Sequence, residues 1–224
     1  SLDSSFRGDG KVTTAFGTGN DYGSSVAIQP DGRIVVAGYA YNGTNSEPAV
    51  ADDNTNRTLD NSFSGDGKVI TAFGTGDDAG YSVAIQPDGK IVVAGDAYMG
   101  SNSDFALARY HTDGSLDNSF GVGGKVTTAF GTANDIGQSV AIQPDGKIVV
   151  AGSAYSGTNS DFAVARYLSG LNIGVIEFSL ADNAPLIYPN PIDERATLEF
   201  TLQNDETISI HLLDMQGRTV RTFI

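Results

Sequence analysis

The chain of 224 residues contains no cysteine and no tryptophan, and only two histidines and two methionines. Without cysteine there can be no disulfide and no thiolate metal site, although that absence alone does not fix a cellular compartment. No apolar run approaches the roughly 20 residues needed to cross a bilayer, so no membrane insertion is expected. Basic residues are also scarce: 13 Lys and Arg face 27 Asp and Glu, for a formal charge of −14. A surface of that sign repels phosphate backbones, which excludes nucleic acid as a partner. His111 lies in a loop sequence, HTDGS, and His211 alternates with Ile210 and Leu212. Neither has an acid or nucleophile beside it in the sequence, and both read as solvated. Ser1 already stands at the opening of a repeat, so the chain reads as a processed product or part of something longer, with no signal peptide.

What the chain has in abundance is itself. Leu2, Leu59 and Leu116, each followed by an aspartate, open three copies of a 57-residue repeat. Ser82 to Gly95 reads SVAIQPDGKIVVAG, identical to Ser139 to Gly152, and Ser25 to Gly38 differs only by Arg33 in place of lysine. A fixed period of this size, made of short strand-like pieces, marks one structural unit stacked on copies of itself. The copies span 1–57, 58–114 and 115–171, followed by a connector at 172–185 and a separate module at 186–224.

Each copy reads as four strands. In the third they are Lys125 to Phe130, Ser139 to Gln143, Lys147 to Gly152 and Phe162 to Tyr167. All are short, alternating or β-branched. Pro144, Asp145 and Gly146 supply a hairpin turn: proline presets φ, aspartate bonds locally and glycine takes the positive φ. The last two strands are apolar or small on both faces, as Ile148 and Val150 oppose Val149 and Ala151. A strand apolar on both faces must be covered on both. Without helices, other sheets have to do the covering. The expected fold is therefore all-β, with β-propeller-type blades followed by an incomplete β-sandwich; a parallel β-solenoid is the main rival.

The first copy departs from the pattern. Glu47, Pro48, Asp52 and Asp53 stand where later copies carry aspartate, phenylalanine, arginine and tyrosine. Proline lacks a ladder donor, so this strand is expected at an edge, at a frayed end or on a specialised surface.

The combination LDxSF, GKV, SVAIQPDGKIVVAG and DFAxARY resembles the delta-60 repeat, a predicted β-propeller repeat of large secreted bacterial proteins. The resemblance covers Ser1 to Tyr167. Because propellers close with about 4 to 8 blades, three leave three alternatives: blades upstream, association of chains, or an open stack. In the tail, Tyr188, Pro189, Asn190 and Pro191 precede alternating strands at Ala196 to Leu202 and Thr207 to Leu213. Asp214 to Gly217 then turns into Arg218 to Phe223. Tyr188 to Pro191 with Asp214 and Gly217 resembles the type A C-terminal sorting domain of the type IX secretion system of Bacteroidetes and their relatives. The resemblance implies recognition by that secretion machinery and an extracellular or outer-surface address. Ile224 comes before the strands that would finish a sandwich of about 100 residues, while Ile173 to Phe178 is an apolar stretch that could complete the last blade.

Candidate site residues recur in register. Asp21, Asp78 and Asp135 precede the second strand, Asp31, Asp88 and Asp145 sit in the hairpin, and Asp104 and Asp161, with Glu47 in their place in copy one, precede the fourth. The first trio are candidate calcium ligands, since calcium takes hard oxygens. The competing reading is that each aspartate caps a turn. Tyr22, Tyr41, Tyr81, Tyr98 and Tyr155 lie in or near polar loops of a kind that suits carbohydrate or protein surfaces. Of these, Tyr41, Tyr98 and Tyr155, equally periodic, are the candidates for a glycan or protein-binding surface, against ring packing within each blade. Arg109 and Arg166 read as partners of an aspartate, and Tyr110 and Tyr167 as packing between blades. The remaining arginines of the repeats, Arg7, Arg33 and Arg57, do not converge with a nucleophile and carboxylates in any hydrolase pattern. The reading is a non-enzymatic, acidic, secreted or cell-surface repeat protein with no catalytic residue and no cofactor apart from calcium. It acts as scaffold or adhesion module, with self-association or other surface proteins as partners; a lectin-like glycan binder is the alternative, and a glycoside hydrolase with its site in missing blades a more distant one.

Overall fold

The computed structural model describes residues 1–55 and 58–169, and the backbone of four short strands beyond residue 185. Two compact units are distinguished, Ser1–Leu171 and Asn172–Ile224. Among the described residues there is no helix, and the first unit consists of three antiparallel sheets. Blade 1 runs β1 (Asp21–Ile28), β2 (Ile34–Tyr41), β3 (Ser46–Asp53) and β4 (Lys68–Ile70). Blade 2 repeats this as β5 (Asp78–Ile85), β6 (Ile91–Tyr98), β7 (Ser103–Tyr110) and β8 (Lys125–Thr128). Blade 3 contains β9 (Asp135–Ile142), β10 (Ile148–Tyr155) and β11 (Ser160–Tyr167). The fold is all-β with propeller-type blades, as the sequence pattern implies.

The phase of the blades differs from that of the repeat. The first strand of the second and third copies does not join its own copy; it closes the sheet of the copy before. Lys68 pairs with Ala51 and Lys125 with Ala108. The connection carries the LDxSF motif. Asp60 accepts a hydrogen bond from the Ser62 N–H at 3.0 Å, tightening the chain so that Phe63 drops into the core at 0% exposure. Lys11 to Ala15, the matching segment of copy one, forms no ladder. A strand edge needs a neighbour, and within this sequence no copy precedes it.

The edge position expected for β3 is also corrected. β3 pairs with β2 along its whole length and with β4 through Ala49, Val50 and Ala51. Pro48 is tolerated because its missing donor points towards the end of β4, where pairing has already stopped. Its carbonyl still accepts from the Thr71 N–H at 2.9 Å. In blade 2 the equivalent Phe105 has its N–H, and β8 runs one residue further to pair Thr128 with it. One proline thus shortens one strand by one residue.

Two apolar clusters hold the stack. Val35, Ala37, Val50 and Phe63 of blade 1 meet Val83, Ile91, Val93, Ala108 and Tyr110 of blade 2. The opposite face of blade 2, with Val92, Ala94, Phe105 and Leu107, meets Val140, Ile148, Val150 and Ala163 of blade 3. Inner strands β1, β5 and β9 lie against one another. The Val83 N–H donates to the Ser25 hydroxyl at 3.2 Å, and the Val140 N–H donates to Ser82 at 3.1 Å. Glycine permits this approach, since a Cβ at Gly137 would stand 2.8 Å from the carbonyl oxygen of Gly95.

In the second unit, β12 (Leu186–Tyr188) pairs with β13 (Thr197–Glu199), and β14 (Ile210–Leu213) pairs with β15 (Thr219–Phe223). Ile173 to Phe178, suggested above as a completing strand, lies outside the described residues.

Each inner hairpin carries a bulge, at Gly80 to Ser82 in blade 2. Its partner Gly95 has no room for a side chain, because a Cβ there would come within 1.8 Å of the Ala79 carbonyl oxygen. Gly95→Ala should therefore destabilise the stack by about 1–3 kcal/mol, read as a lowered midpoint in urea unfolding.

Candidate functional site

The antiparallel order gives each blade two rims. At the lower rim lie the hairpin turns and the loops between third and fourth strands. At the upper rim lie Tyr41, Tyr98 and Tyr155, Asp21, Asp78 and Asp135, and the loops that lead into the next blade.

The lower rim is organised by one aspartate per copy. Asp117, almost fully buried, accepts from Arg109 Nε at 2.9 Å and from Arg109 Nη2 at 2.8 Å. Arg109 is itself buried, its guanidinium 4.5 Å from the centre of the Phe120 ring, and it also donates to the Ser169 carbonyl of blade 3. Burial alone would raise the Asp117 carboxyl. The Ser119 hydroxyl and N–H, with Arg109 and Lys90 adding to them, outweigh that and hold it below the usual carboxylate range. His111, read from sequence as having no acid beside it, stands with Nε2 3.7 Å from Asp117.

Copy one reaches the same arrangement by exchange. Asp52 occupies the place of Arg109, yet Arg33, replacing lysine, sends its guanidinium to Asp60, the counterpart of Asp117. The same Nη1 lies 3.5 Å from Asp52, and Nε bonds Asp31 at 2.8 Å. Gln29 donates to Asp52 at 2.7 Å. Burial still pushes the Asp52 carboxyl up to about 6, against the pull of Arg33 and Gln29. Two sequence departures noted separately, Arg33 and Asp52, are therefore one compensated change. Along the inner edge of this rim, Ile28, Ile85 and Ile142 and the prolines two residues after them line a shallow groove of about 490 Å³.

At the upper rim the candidate calcium ligands are engaged in turns. Asp21, Asp78 and Asp135 accept backbone N–H bonds from Phe16, Phe73 and Phe130 at 2.9, 2.8 and 2.6 Å, and Asp78 also accepts from Tyr98. Among the described residues no group of three or more histidine, aspartate or glutamate side chains could hold a metal ion. The hairpin aspartates Asp31, Asp88 and Asp145 likewise accept the N–H two residues on. Glu47 is buried against the next blade. Burial pushes its carboxyl up to about 7; the Asn45 amide pulls it down, and Asp78 and Asp77 push it further up. In blade 2, Asp104 is raised by burial and by Asp135.

Tyr41, Tyr98 and Tyr155 are each about two-fifths exposed. The Tyr41 hydroxyl donates to the Gly43 carbonyl at 3.1 Å and that of Tyr98 to Gly100 at 2.7 Å, so these rings brace their own loops. Tyr110 and Tyr167 reach across blades, donating to the Thr71 and Thr128 hydroxyls at 2.7 and 2.9 Å. Periodicity could not single out Tyr22, Tyr39 and Tyr81, because they do not repeat. Tyr22 stacks on Tyr39 with centroids 5.0 Å apart, and Tyr39 meets the edge of Tyr81. Of the sorting-motif residues, Tyr188 lies in β12, whereas Pro189, Asn190, Pro191, Asp214 and Gly217 lie outside the described residues, as does Arg57.

Residues 29–63, 86–120 and 143–172 match a family described as Domain of unknown function (DUF5122) beta-propeller. Residues 186–223 match another described as Secretion system C-terminal sorting domain. No curated protein matches the chain.

The two buried networks give separate expectations. Glu47 and Asp52 bind protons more tightly in the folded state than in the unfolded one. Their contribution is thus complete at low pH and lost as pH rises through the window from about 4 to 7. Unfolding midpoints should accordingly fall between pH 5.5 and 8. Glu47→Gln should flatten that slope and raise Tm at pH 8 by about 2–4 °C, the effect of about 1 kcal/mol in a domain of this size. At the lower rim, Arg33→Lys should cost about 1.5–3 kcal/mol, because one ammonium cannot serve three carboxylates. Adding Asp52→Arg to that variant should recover most of the loss in the same unfolding assay.

Proposed function

We propose that this protein, a chain of three DUF5122-type β-propeller repeats with a type IX secretion sorting domain, is a non-catalytic scaffold that builds surface assemblies by stacking blade upon blade. The sorting domain implies recognition by the secretion machinery and export to the cell surface or the extracellular space. Among the described residues no helix is long and apolar enough to cross a membrane.

One observation carries the scaffold reading: the two open faces of the stack are the two halves of an interface that the chain already forms twice. Phe105 of blade 2 is 0% exposed against blade 3, whereas the equivalent Phe162 of blade 3 is 102% exposed, and Val164 lies open beside it. On blade 1, Val26 is 61% exposed where its counterpart Val83 is 7% exposed. Each such side chain gains about 1.5–3 kcal/mol on full burial. The occupant that fits is a second copy, head to tail, with blade 1 of one chain on blade 3 of the next. Lys11 to Thr14 has the sequence KVTT of Lys125 to Thr128 and no ladder of its own. It would add to β11 as β8 adds to β7. Two chains in that arrangement give six blades, within the range that closes a ring, and such a head-to-tail contact is heterologous. Calcium is not needed for it, and the acidic turns serve the blades themselves.

Light scattering on the purified chain tests this reading. A discrete dimer is expected, unchanged by chelator. Phe162→Glu with Val164→Glu, at exposed positions of the monomer, should yield folded monomer. A monomeric wild-type chain would overturn the reading and point to other cover for these faces, such as the 173–178 stretch or further repeats.

A further inference from the structure

We propose that the upper rim carries a binding site for neutral carbohydrate, built on Tyr22, Tyr39 and Tyr81. The stack does not require these rings. At the positions equivalent to Tyr22 the later copies hold Ala79 and Ile136; at those of Tyr39 they hold Asp96 and Ser153. At those of Tyr81 the other copies hold Ser24 and Gln138. All nine residues sit in the equivalent first two strands of the three blades, so the fold accepts a small, polar or aliphatic side chain at each. Three tyrosines converging where only one copy supplies each of them is a departure that packing does not explain.

Their geometry suits a sugar. Tyr22 and Tyr39 face each other across β1 and β2, stacked at 5.0 Å with their planes 28° apart. Tyr81, at the bulge of β5, sets its ring at 76° to Tyr39 with centroids 6.5 Å apart. The outer ring, Tyr22, is 52% exposed and turns towards blade 2 with Tyr39, away from the open face of blade 1. An exposed tyrosine face at the end of a rigid stack takes the apolar C–H face of a pyranose at small entropic cost. Asp96, 8% exposed, acts electrostatically on the Tyr81 phenol, and burial together with this carboxylate keeps that phenol protonated. That interaction leaves the phenol's lone pairs available to a sugar hydroxyl, making Asp96 a positioning residue. The net charge of −14 disfavours sulfated or uronic glycans, and a bare aromatic face suits a neutral one.

The site is independent of ring assembly, so its test does not depend on the mass of the particle. Isothermal titration would use cellohexaose, laminarihexaose and N-acetylchitohexaose, with a tri-lysine peptide as the contrasting probe. At least one oligosaccharide should bind. Tyr22→Ala should weaken it about tenfold, the worth of one stacked aromatic contact. Tyr81→Phe, which keeps the ring and removes the hydroxyl, should weaken it severalfold. Tyr155→Ala, at a repeat-borne tyrosine, should leave it unchanged, and circular dichroism of each variant should match wild type. The proposal is overturned if none of the three sugars binds, if Tyr22→Ala binds as wild type does, or if only the peptide binds.

Discussion

A blade of this protein is apolar on both faces, and that single property dictates the rest. A lone sheet of this kind would expose Val92, Ala94, Phe105 and Leu107 on one side and Ile91, Val93 and Tyr110 on the other, all of which are buried in the stack. No blade can bury its own surface, so each depends on its neighbours, as in other repeat architectures. The remaining devices refine the contact. Serine hydroxyls stitch inner strand to inner strand, glycines let backbones approach, and the LDxSF loops insert Phe63 and Phe120 between sheets. The strand that closes blades 1 and 2 comes in each case from the next copy, which ties neighbours together covalently as well as by packing.

The places where the copies differ show which interactions the fold protects. Arg33 stands for a lysine and Asp52 for an arginine, so the guanidinium comes from the turn instead of the third strand, yet one still reaches the LDxSF aspartate in both copies. What persists is the charge at that point, not the residue that supplies it. Pro48 trades one rung of the ladder for a shorter β4 and leaves β3 inside the sheet. By contrast, the tyrosines at 22, 39 and 81 have no compensating partner in the other copies. A difference that maintains a contact belongs to folding, whereas one that adds an exposed ring invites a ligand.

Much of this was legible in the chain itself. The alternation of Val140 and Ile142, the PDG turns and the two-faced apolar strands required stacked antiparallel sheets, and the tail motif matched a sorting domain. The phase of the blade was not legible, because a strand such as Lys125 to Thr128 carries no mark of which copy it pairs with; loop length and the buried Phe120 decide that. Nor was the inner position of β3, since proline restricts only one side of a strand. The roles of Asp60 and Asp117 were hidden within a motif that served only to count repeats. Burial made the difference for Glu47, whose neighbours Asp77 and Asp78 lie 30 residues away or more and meet it only across the blade boundary.

The account stands on blades being completed by the first strand of a following copy, across chains as well as within one. Hydrogen exchange at the Lys11 to Thr14 amides, followed by mass spectrometry over a range of protein concentrations, addresses this directly. Protection that rises with concentration towards that of Lys125 to Thr128 is the predicted result. Rapid exchange at every concentration, with Lys125 to Thr128 protected throughout, would show that this segment finds no strand to join and would contradict the account.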